Sequence, residues 1–143
     1  MDKISSFKEE YSFLSNFYPS VVSEEYDGTV INYPTVEHAF QANKSLDKDI
    51  RKKISELDSP AKAKRYGNTV SLRSDWEFIK LDVMRKFIHL KFQNEELKEK
   101  LLKTDGLYLE EGNVWNDTFW GVCRGKGRNN LGKILMEERD KVR

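Results

Sequence analysis

The sequence predicts an α+β fold, predominantly helical: one compact domain over residues 1–143 with a small sheet at its N-terminal edge. Three observations carry that expectation. A length of 143 residues suits one hydrophobic core. A succession of capped segments with helically spaced apolar residues runs from Pro34 to Leu102. Near the N-terminus, Tyr26-Asp27-Gly28 lies between two β-prone runs, a hairpin signal.

Taken in order, Ile4 to Phe7 reads as a short strand, and Tyr11 to Ser20 as an aromatic-rich loop that ends around Pro19. Val21-Val22 and Thr29-Val30-Ile31 flank the Asp-Gly turn, with a loop longer than the tight two-residue form. Thr35 is an acceptable N-cap for a helix in which Val36, Ala39, Phe40, Asn43 and Leu46 recur at helical spacing. Glu37 therefore falls in a first helical turn. Asp47 caps a segment carrying Ile50, Ile54 and Leu57, and Ser59-Pro60 starts another that Gly67 ends. Ser74-Asp75-Trp76-Glu77 has the form of a capping box and opens the longest helix. Trp76, Ile79, Val83, Phe87 and Leu90 trace one face of it, widened by Met84, Ile88 and Phe92. Asn94 caps a helix with Leu97, Leu101 and Leu102 that stops at Thr104-Asp105-Gly106. Leu107 to Glu111 alternates as a strand. Asn129 or Asn130 caps a terminal helix with Leu131, Ile134, Leu135 and Met136 inward.

Composition removes several function classes. Cys123 is the single cysteine, so no internal disulfide forms, and with only His38 and His89 beside it no zinc site is expected. No apolar run is long enough to span a bilayer and the first residues lack the apolar core of a secretion signal, which makes a cytoplasmic protein the expectation. A formal net charge of +1 argues against a nucleic-acid binder held by bulk charge, while leaving room for a local cationic site.

The stretch from Asn113 to Arg139 departs from any packing period. It sets Trp115, Phe119 and Trp120 around Asp117, then a basic glycine-rich loop, then a helix start. Aromatic walls beside a carboxylate, followed by amides and cations, suit a base or sugar joined to phosphate. The alternative is a tryptophan-anchored turn whose glycines only permit positive φ. Other residues divide the same way. Glu37 is either a functional acid or a glutamate that complements the helix dipole; Asp117 is either a desolvated acid or an Asx turn; Trp76 is either a stacking wall or core. The loop from Gly125 to Gly132 matches neither the P-loop nor the dinucleotide fingerprint. Lys44, seven positions after Glu37, shares its helix face. Cys123 has no histidine placed by sequence to activate it.

Five blocks of the chain carry a wider pattern: Ser15-Asn-Phe-Tyr-Pro19, Pro34-Thr-Val-Glu-His-Ala-Phe-Gln-Ala-Asn-Lys44, Ser74-Asp-Trp-Glu77, Asn116-Asp-Thr-Phe-Trp-Gly121 and Gly127 to Arg139. In that order they closely resemble the NADAR (YbiA-like) family over nearly the whole chain. Cys123 is the one visible departure, standing where a glycine is expected soon after Trp-Gly. The resemblance implies a metal-independent and cofactor-free N-glycosidase that cleaves a ribose-to-nitrogen bond. Its implied substrates are ADP-ribose on guanine of nucleic acid or nucleotides, or phosphoribosyl-aminopyrimidine intermediates of riboflavin synthesis; no membrane and no obligate protein partner are implied.

By the same resemblance the family's functional residues fall on Glu37, Trp76 and Asp117. Substrate contacts are expected from Asn16, Phe17, Lys44, Trp120, Gly121, Lys126, Gly127, Arg128 and Asn129. The residue types fit the chemistry, since breaking an N-glycosidic bond builds oxocarbenium character that a nearby carboxylate stabilises. A competing expectation is a module that binds ADP-ribose or nucleotide without turnover; another is a helical adaptor whose tryptophans are core.

Overall fold

The computed structural model describes residues 2–143. In chain order its elements are β1 (Lys3–Ile4), a 3-10 helix (Glu9–Leu14), β2 (Val22–Tyr26), β3 (Thr29–Tyr33), α1 (Val36–Ala42), α2 (Lys48–Ser55) and α3 (Pro60–Gly67). There follow α4 (Trp76–Lys91), α5 (Glu95–Leu102), β4 (Tyr108–Leu109), β5 (Gly112–Asn113), β6 (Val122–Cys123) and α6 (Asn130–Lys141). Backbone proximity groups them into two units. One is Asn16–Lys91; the other joins the N-terminal residues through Ser15 to Phe92–Arg143. No helix among the described residues is long and apolar enough to cross a membrane.

In the Asn16–Lys91 unit, β2 and β3 pair antiparallel from Val22↔Tyr33 to Tyr26↔Thr29. The loop is Asp27-Gly28 alone, both at positive φ, so the hairpin is the tight form and not the longer one the sequence suggests. Tyr26 continues the ladder because its side chain is held elsewhere: its hydroxyl donates to the Leu46 carbonyl at 2.5 Å and its ring lies 3.6 Å under the Arg51 guanidinium. One hairpin face, with Val22, Glu24, Ile31 and Tyr33, is buried.

An acid in that face needs neutralising, because an unpaired buried charge is costly. Arg51 of α2 supplies the cation 3.2 Å from Glu24 and also donates to the Ser45 carbonyl at 2.8 Å. The Tyr33 hydroxyl (2.5 Å) and the Asn43 amide (3.1 Å) donate to the same carboxylate, and the Lys86 ammonium lies 3.6 Å from it. Burial and the Glu24 charge push the Tyr33 hydroxyl up, so it remains a donor.

Every residue of α1 is buried, polar ones included. Thr35 caps it, accepting the His38 amide at 3.1 Å, while α2 and α3 are capped by Asp47 and Ser59 as their sequences predict. The helix closes at Ala42, so Leu46 lies beyond it and is exposed. His38 has a defined tautomer. Its Nε2–H donates to the Leu57 carbonyl at 2.9 Å, which leaves Nδ1 to accept from the Thr35 hydroxyl at 2.8 Å.

The long helix departs from expectation in two ways. Its buried side is Trp76, Met84, Phe87, Ile88 and Lys91, and Leu90 is turned outward. Phe87 meets the edge of Tyr33 at 6.1 Å, which rotates the face toward Met84 and Ile88. Burial pushes the Lys91 ammonium down to about 7. The expected capping box is not used in that form: Glu77 takes the Lys80 ammonium at 2.9 Å, and the Asp75 carbonyl receives the Phe78 and Ile79 amides.

In the other unit β1 is parallel to β4, with Ile4 opposite Leu109, and β5 is parallel to β6. The strands expected over Ile4 to Phe7 and Leu107 to Glu111 shrink to two-residue pairings. Instead of continuing the ladder, the chain after Leu109 turns to bring Gly112 opposite Val122. Asn94 caps α5 as predicted, through the Leu97 amide at 3.1 Å. Arg139 of α6 gathers the turn after α5, donating to the Thr104 and Leu107 carbonyls, each at 2.9 Å.

Two outcomes follow for stability. Arg51→Met removes the buried cation beside Glu24 and leaves only the half-exposed Lys86, 3.6 Å away; urea denaturation should show a loss of about 3 kcal/mol. His38 has its pKa lowered by burial, only partly offset by the Leu57 carbonyl. The unfolded chain therefore binds the extra proton first. The stability His38 contributes is fully present above the unfolded value, near 6.5, and is lost as pH falls toward the lower folded value. Denaturation midpoints between pH 7 and pH 5 should fall more steeply in the parent than in His38→Gln.

Candidate active site

In the Asn16–Lys91 unit the site is built on α1. Thr35 ends the extended chain of β3 and starts the helix, so that Glu37 enters its first turn; its amide donates to the Asn16 carbonyl at 3.1 Å. Glu37 is only 8% exposed. One turn later on the same face, the Gln41 Nε2 donates to the Glu37 Oε2 at 2.6 Å. The other end of that amide, Oε1, is buried without a hydrogen-bond partner and lies against Gly67. A Cβ at Gly67 would fall 2.0 Å from it, so glycine here is what lets the Gln41 side chain fit between α1 and α3. The amide is thereby fixed with its donor toward the acid. The opposite orientation would set two oxygens against each other.

The remaining predicted residues of this unit fall nearby in different ways. Asn16 is buried, its Nδ2 lies 3.4 Å from the Met84 Sδ, and its Oδ1 has no hydrogen-bond partner. Phe17 is exposed. Trp76 is 4% exposed and packs on Phe40 with centroids 5.0 Å apart, so most of the ring is held in the core of this unit. Lys44 is half-buried. Burial pushes its ammonium down, the Glu37 charge pulls it back up, and Lys64 and Lys80 press it down further. Gln41, Lys64 and Lys80 were not singled out in the sequence. Only Gln41 left a signal there, its i,i+4 spacing from Glu37.

In the other unit Asp117 folds its own loop. Its Oδ1 accepts the amides of Phe119 (3.2 Å) and Trp120 (2.9 Å), which is an Asx turn. Asn113 anchors the loop's entry, accepting the Trp115 and Asp117 amides and donating to the Asp117 carbonyl at 2.9 Å. Trp120 is half-buried, edge-on to Phe119 at 4.8 Å.

The basic loop is a two-residue hairpin, Arg124-Gly125, both at positive φ, closed by reciprocal bonds between Cys123 and Lys126. The amides of Arg128, Asn129, Asn130 and Leu131 donate in turn to the carbonyls of Thr118, Gly121, Phe119 and Trp120. Donors already bonded to carbonyls are not available to a phosphate. Gly127 permits this folding back, since a Cβ there would stand 2.1 Å from the Gly121 carbonyl oxygen. Lys126 and Arg128 keep exposed side chains, the latter 5.9 Å from the Phe119 ring. Asn129 precedes α6 as an N-cap in the left-handed region, but its side chain staples the chain elsewhere. It accepts the Glu111 amide at 2.9 Å and donates to the Leu109 carbonyl at 2.8 Å. Cys123 is buried, with its Sγ 3.7 Å from the Asn116 Oδ1.

Comparison with known proteins places this geometry. The NADAR domain model matches residues 4–143, and the chain belongs to that family. Among its relatives, N-glycosidase YbiA of Escherichia coli (strain K12) is 42% identical over 143 residues, covering 96% of this chain and 85% of the relative. The chloroplastic riboflavin biosynthesis protein PYRR of Zea mays is 37% identical over 147 residues, which are 92% of this chain and 23% of that longer protein. The NMR structure of the E. coli protein YbiA superposes with a TM-score of 0.81 at 39% identity, over 99% of this chain and 86% of that one.

The Gln41 contact gives a direct test of local packing. Gly67→Ala overpacks the α1–α3 contact and should destabilise the protein by about 1 to 3 kcal/mol in urea denaturation. Ala61→Gly, at an exposed position of the same helix, should cost about 1 kcal/mol through propensity alone.

Proposed function

We propose that this chain is an N-glycosidase that hydrolyses the bond between a ribose anomeric carbon and a base nitrogen, with Glu37 as the acid of the reacting centre. The relatives named N-glycosidases support a hydrolase of this kind. The observation that carries the residue assignment is a buried glutamate whose carboxylate receives a 2.6 Å hydrogen bond from a neutral amide. A charge-assisted bond of that length favours a fixed carboxylate over a mobile one. Fixed charge is what a developing oxocarbenium requires, because it stabilises the transition state more than the ground state without reorganising.

In this reading Glu37 faces the anomeric carbon or activates the attacking water. Asp117 is the second acid, and its Oδ2 handles ribose, water or the leaving-group proton, since its Oδ1 is held by two backbone amides. Trp76 presents an edge of its packed ring to base or ribose. Two substrate groups fit: phosphoribosyl-aminopyrimidine intermediates of riboflavin synthesis, for which the name of the maize relative gives support, and ADP-ribose attached to guanine.

The test is mass-resolved product analysis of the purified, chelator-treated protein with one substrate of each group, run against Glu37→Gln. The parent should release ribose 5-phosphate or ADP-ribose. Glu37→Gln should fold normally and lose about two to three decades in rate. Equal turnover by a folded Glu37→Gln removes the assignment. Tight binding of a substrate without cleavage would make the chain a nucleotide-binding module instead.

A further inference from the structure

Beside the Asp117 loop stands an acid that the proposed reaction does not use, Glu111. Its neighbour Glu110 serves the β1–β4 pairing, where its carboxylate meets the Lys3 ammonium at 3.4 Å. Glu111 is tied into the loop instead. Its amide donates to the Asn129 Oδ1 at 2.9 Å and its carbonyl accepts the Val122 amide at 2.8 Å, so both ends of the residue are anchored. The half-buried side chain lies against Gly121, where an added Cβ would stand 2.0 Å from the Glu111 Oε2 and 2.8 Å from the Asn113 Nδ2. A glycine at this position is what lets the acid and the amide meet.

What the carboxylate holds is Asn113. The Asn113 Nδ2 donates to the Glu111 Oε2 at 3.3 Å and to the Asp117 carbonyl at 2.9 Å. Its Oδ1 accepts the Trp115 and Asp117 amides at 3.2 and 3.1 Å. The Glu111 oxygen meets the amide as an acceptor, and only the nitrogen end of Asn113 can supply the donor. Reversing the amide would set oxygen against oxygen at Glu111 and at the Asp117 carbonyl together. Glu111 therefore helps to decide which end of Asn113 faces Asp117. Through that one side chain Asp117 is held at both its amide and its carbonyl, while its own Oδ1 takes the Phe119 and Trp120 amides. The direction of Oδ2 follows from this bracing.

We propose that Glu111 is a positioning residue for Asp117, acting through Asn113. This rests on the glycosidase reading, in which the Asp117 Oδ2 meets ribose, water or the leaving-group proton. A group of that kind works only where it is aimed, and a misplacement of about 1 Å can cost about a hundredfold in rate. Loosening one of the two acceptors on the Asn113 Nδ2 is a smaller disturbance, and it acts on turnover because the aim matters most in the transition state.

The experiment compares the parent with Glu111→Met, Glu111→Gln and Glu110→Met. It measures kcat and KM on a phosphoribosyl-aminopyrimidine and on an ADP-ribosylated guanine nucleotide, with the unfolding midpoint and the NMR signals of the Asn113 side-chain amide. Glu111→Met should lower kcat about tenfold, with the larger part of the change in kcat and not in KM, and should shift the Asn113 signals. Glu111→Gln keeps an oxygen that accepts from Asn113 and should stay within about threefold of the parent. Glu110→Met removes the neighbouring acid and should leave kcat unchanged. A purely structural Glu111 would lower the midpoint of Glu111→Met and leave the kcat of the folded enzyme alone; that result overturns the proposal, as does an equal loss in Glu111→Gln or Glu110→Met. Should Glu111→Met not fold, Asn113→Asp decides. It sets a second carboxylate against Glu111 and should lower kcat about tenfold, and adding Glu111→Gln restores a donor and acceptor with their roles exchanged, recovering about threefold or more. No recovery overturns the assignment. Asn113 signals that shift in Glu111→Met, in a parent that cleaves neither N-glycoside, would leave the brace standing and remove the glycosidase reading. Cleavage with kcat indifferent to Glu111 would do the reverse.

Discussion

A carboxylate sealed inside a helix that is itself buried on all sides sets the terms for the Asn16–Lys91 unit. Glu37 has little water to solvate it, and a buried charge without partners costs several kcal/mol. Its 2.6 Å bond from Gln41 answers that demand, and the bond exists because Gly67 leaves room for the amide to stand upright between two helices. Sequence, packing and site meet at that one contact. The Thr35 cap decides where the helix begins, helical spacing puts Gln41 beside Glu37, and a missing Cβ on α3 decides whether the pair can close.

The unit contains a second buried acid, and the contrast between the two is informative. Glu24 is neutralised by the Arg51 guanidinium and the Lys86 ammonium and takes hydrogen bonds from a phenol and an amide, a dense shell around the hairpin's buried acid. Such a shell serves stability and leaves the oxygens little capacity for anything else. Glu37 is held by a neutral donor, and the Lys44 charge acts on it from the same face. The amides that follow the Arg124-Gly125 hairpin are taken by the carbonyls of Thr118 to Gly121.

Much of this was legible in the sequence where local chemistry decides the outcome. Thr35, Asp47, Ser59 and Asn94 cap the helices their side chains predict, because each bond is made within three residues of the cap. What depends on tertiary contact was not legible. The long helix buries Lys91 and turns Leu90 outward because Phe87 meets Tyr33, a partner far away in sequence. The glycine-rich loop reads as a nest of free amides until the Thr118–Gly121 carbonyls are seen to take them. Asp117 could be raised as an acid or as an Asx turn, and the turn is made by its Oδ1 alone.

The most direct measurement is a double-mutant cycle between Glu37→Gln and Gln41→Met, read as single-turnover rate on a phosphoribosyl substrate. If Gln41 acts by holding the Glu37 carboxylate, Gln41→Met slows the parent by about tenfold and slows Glu37→Gln by less than about twofold, a coupling of roughly 1 kcal/mol or more. The same factor in both backgrounds would contradict the account, because the amide would then act independently of the acid it touches.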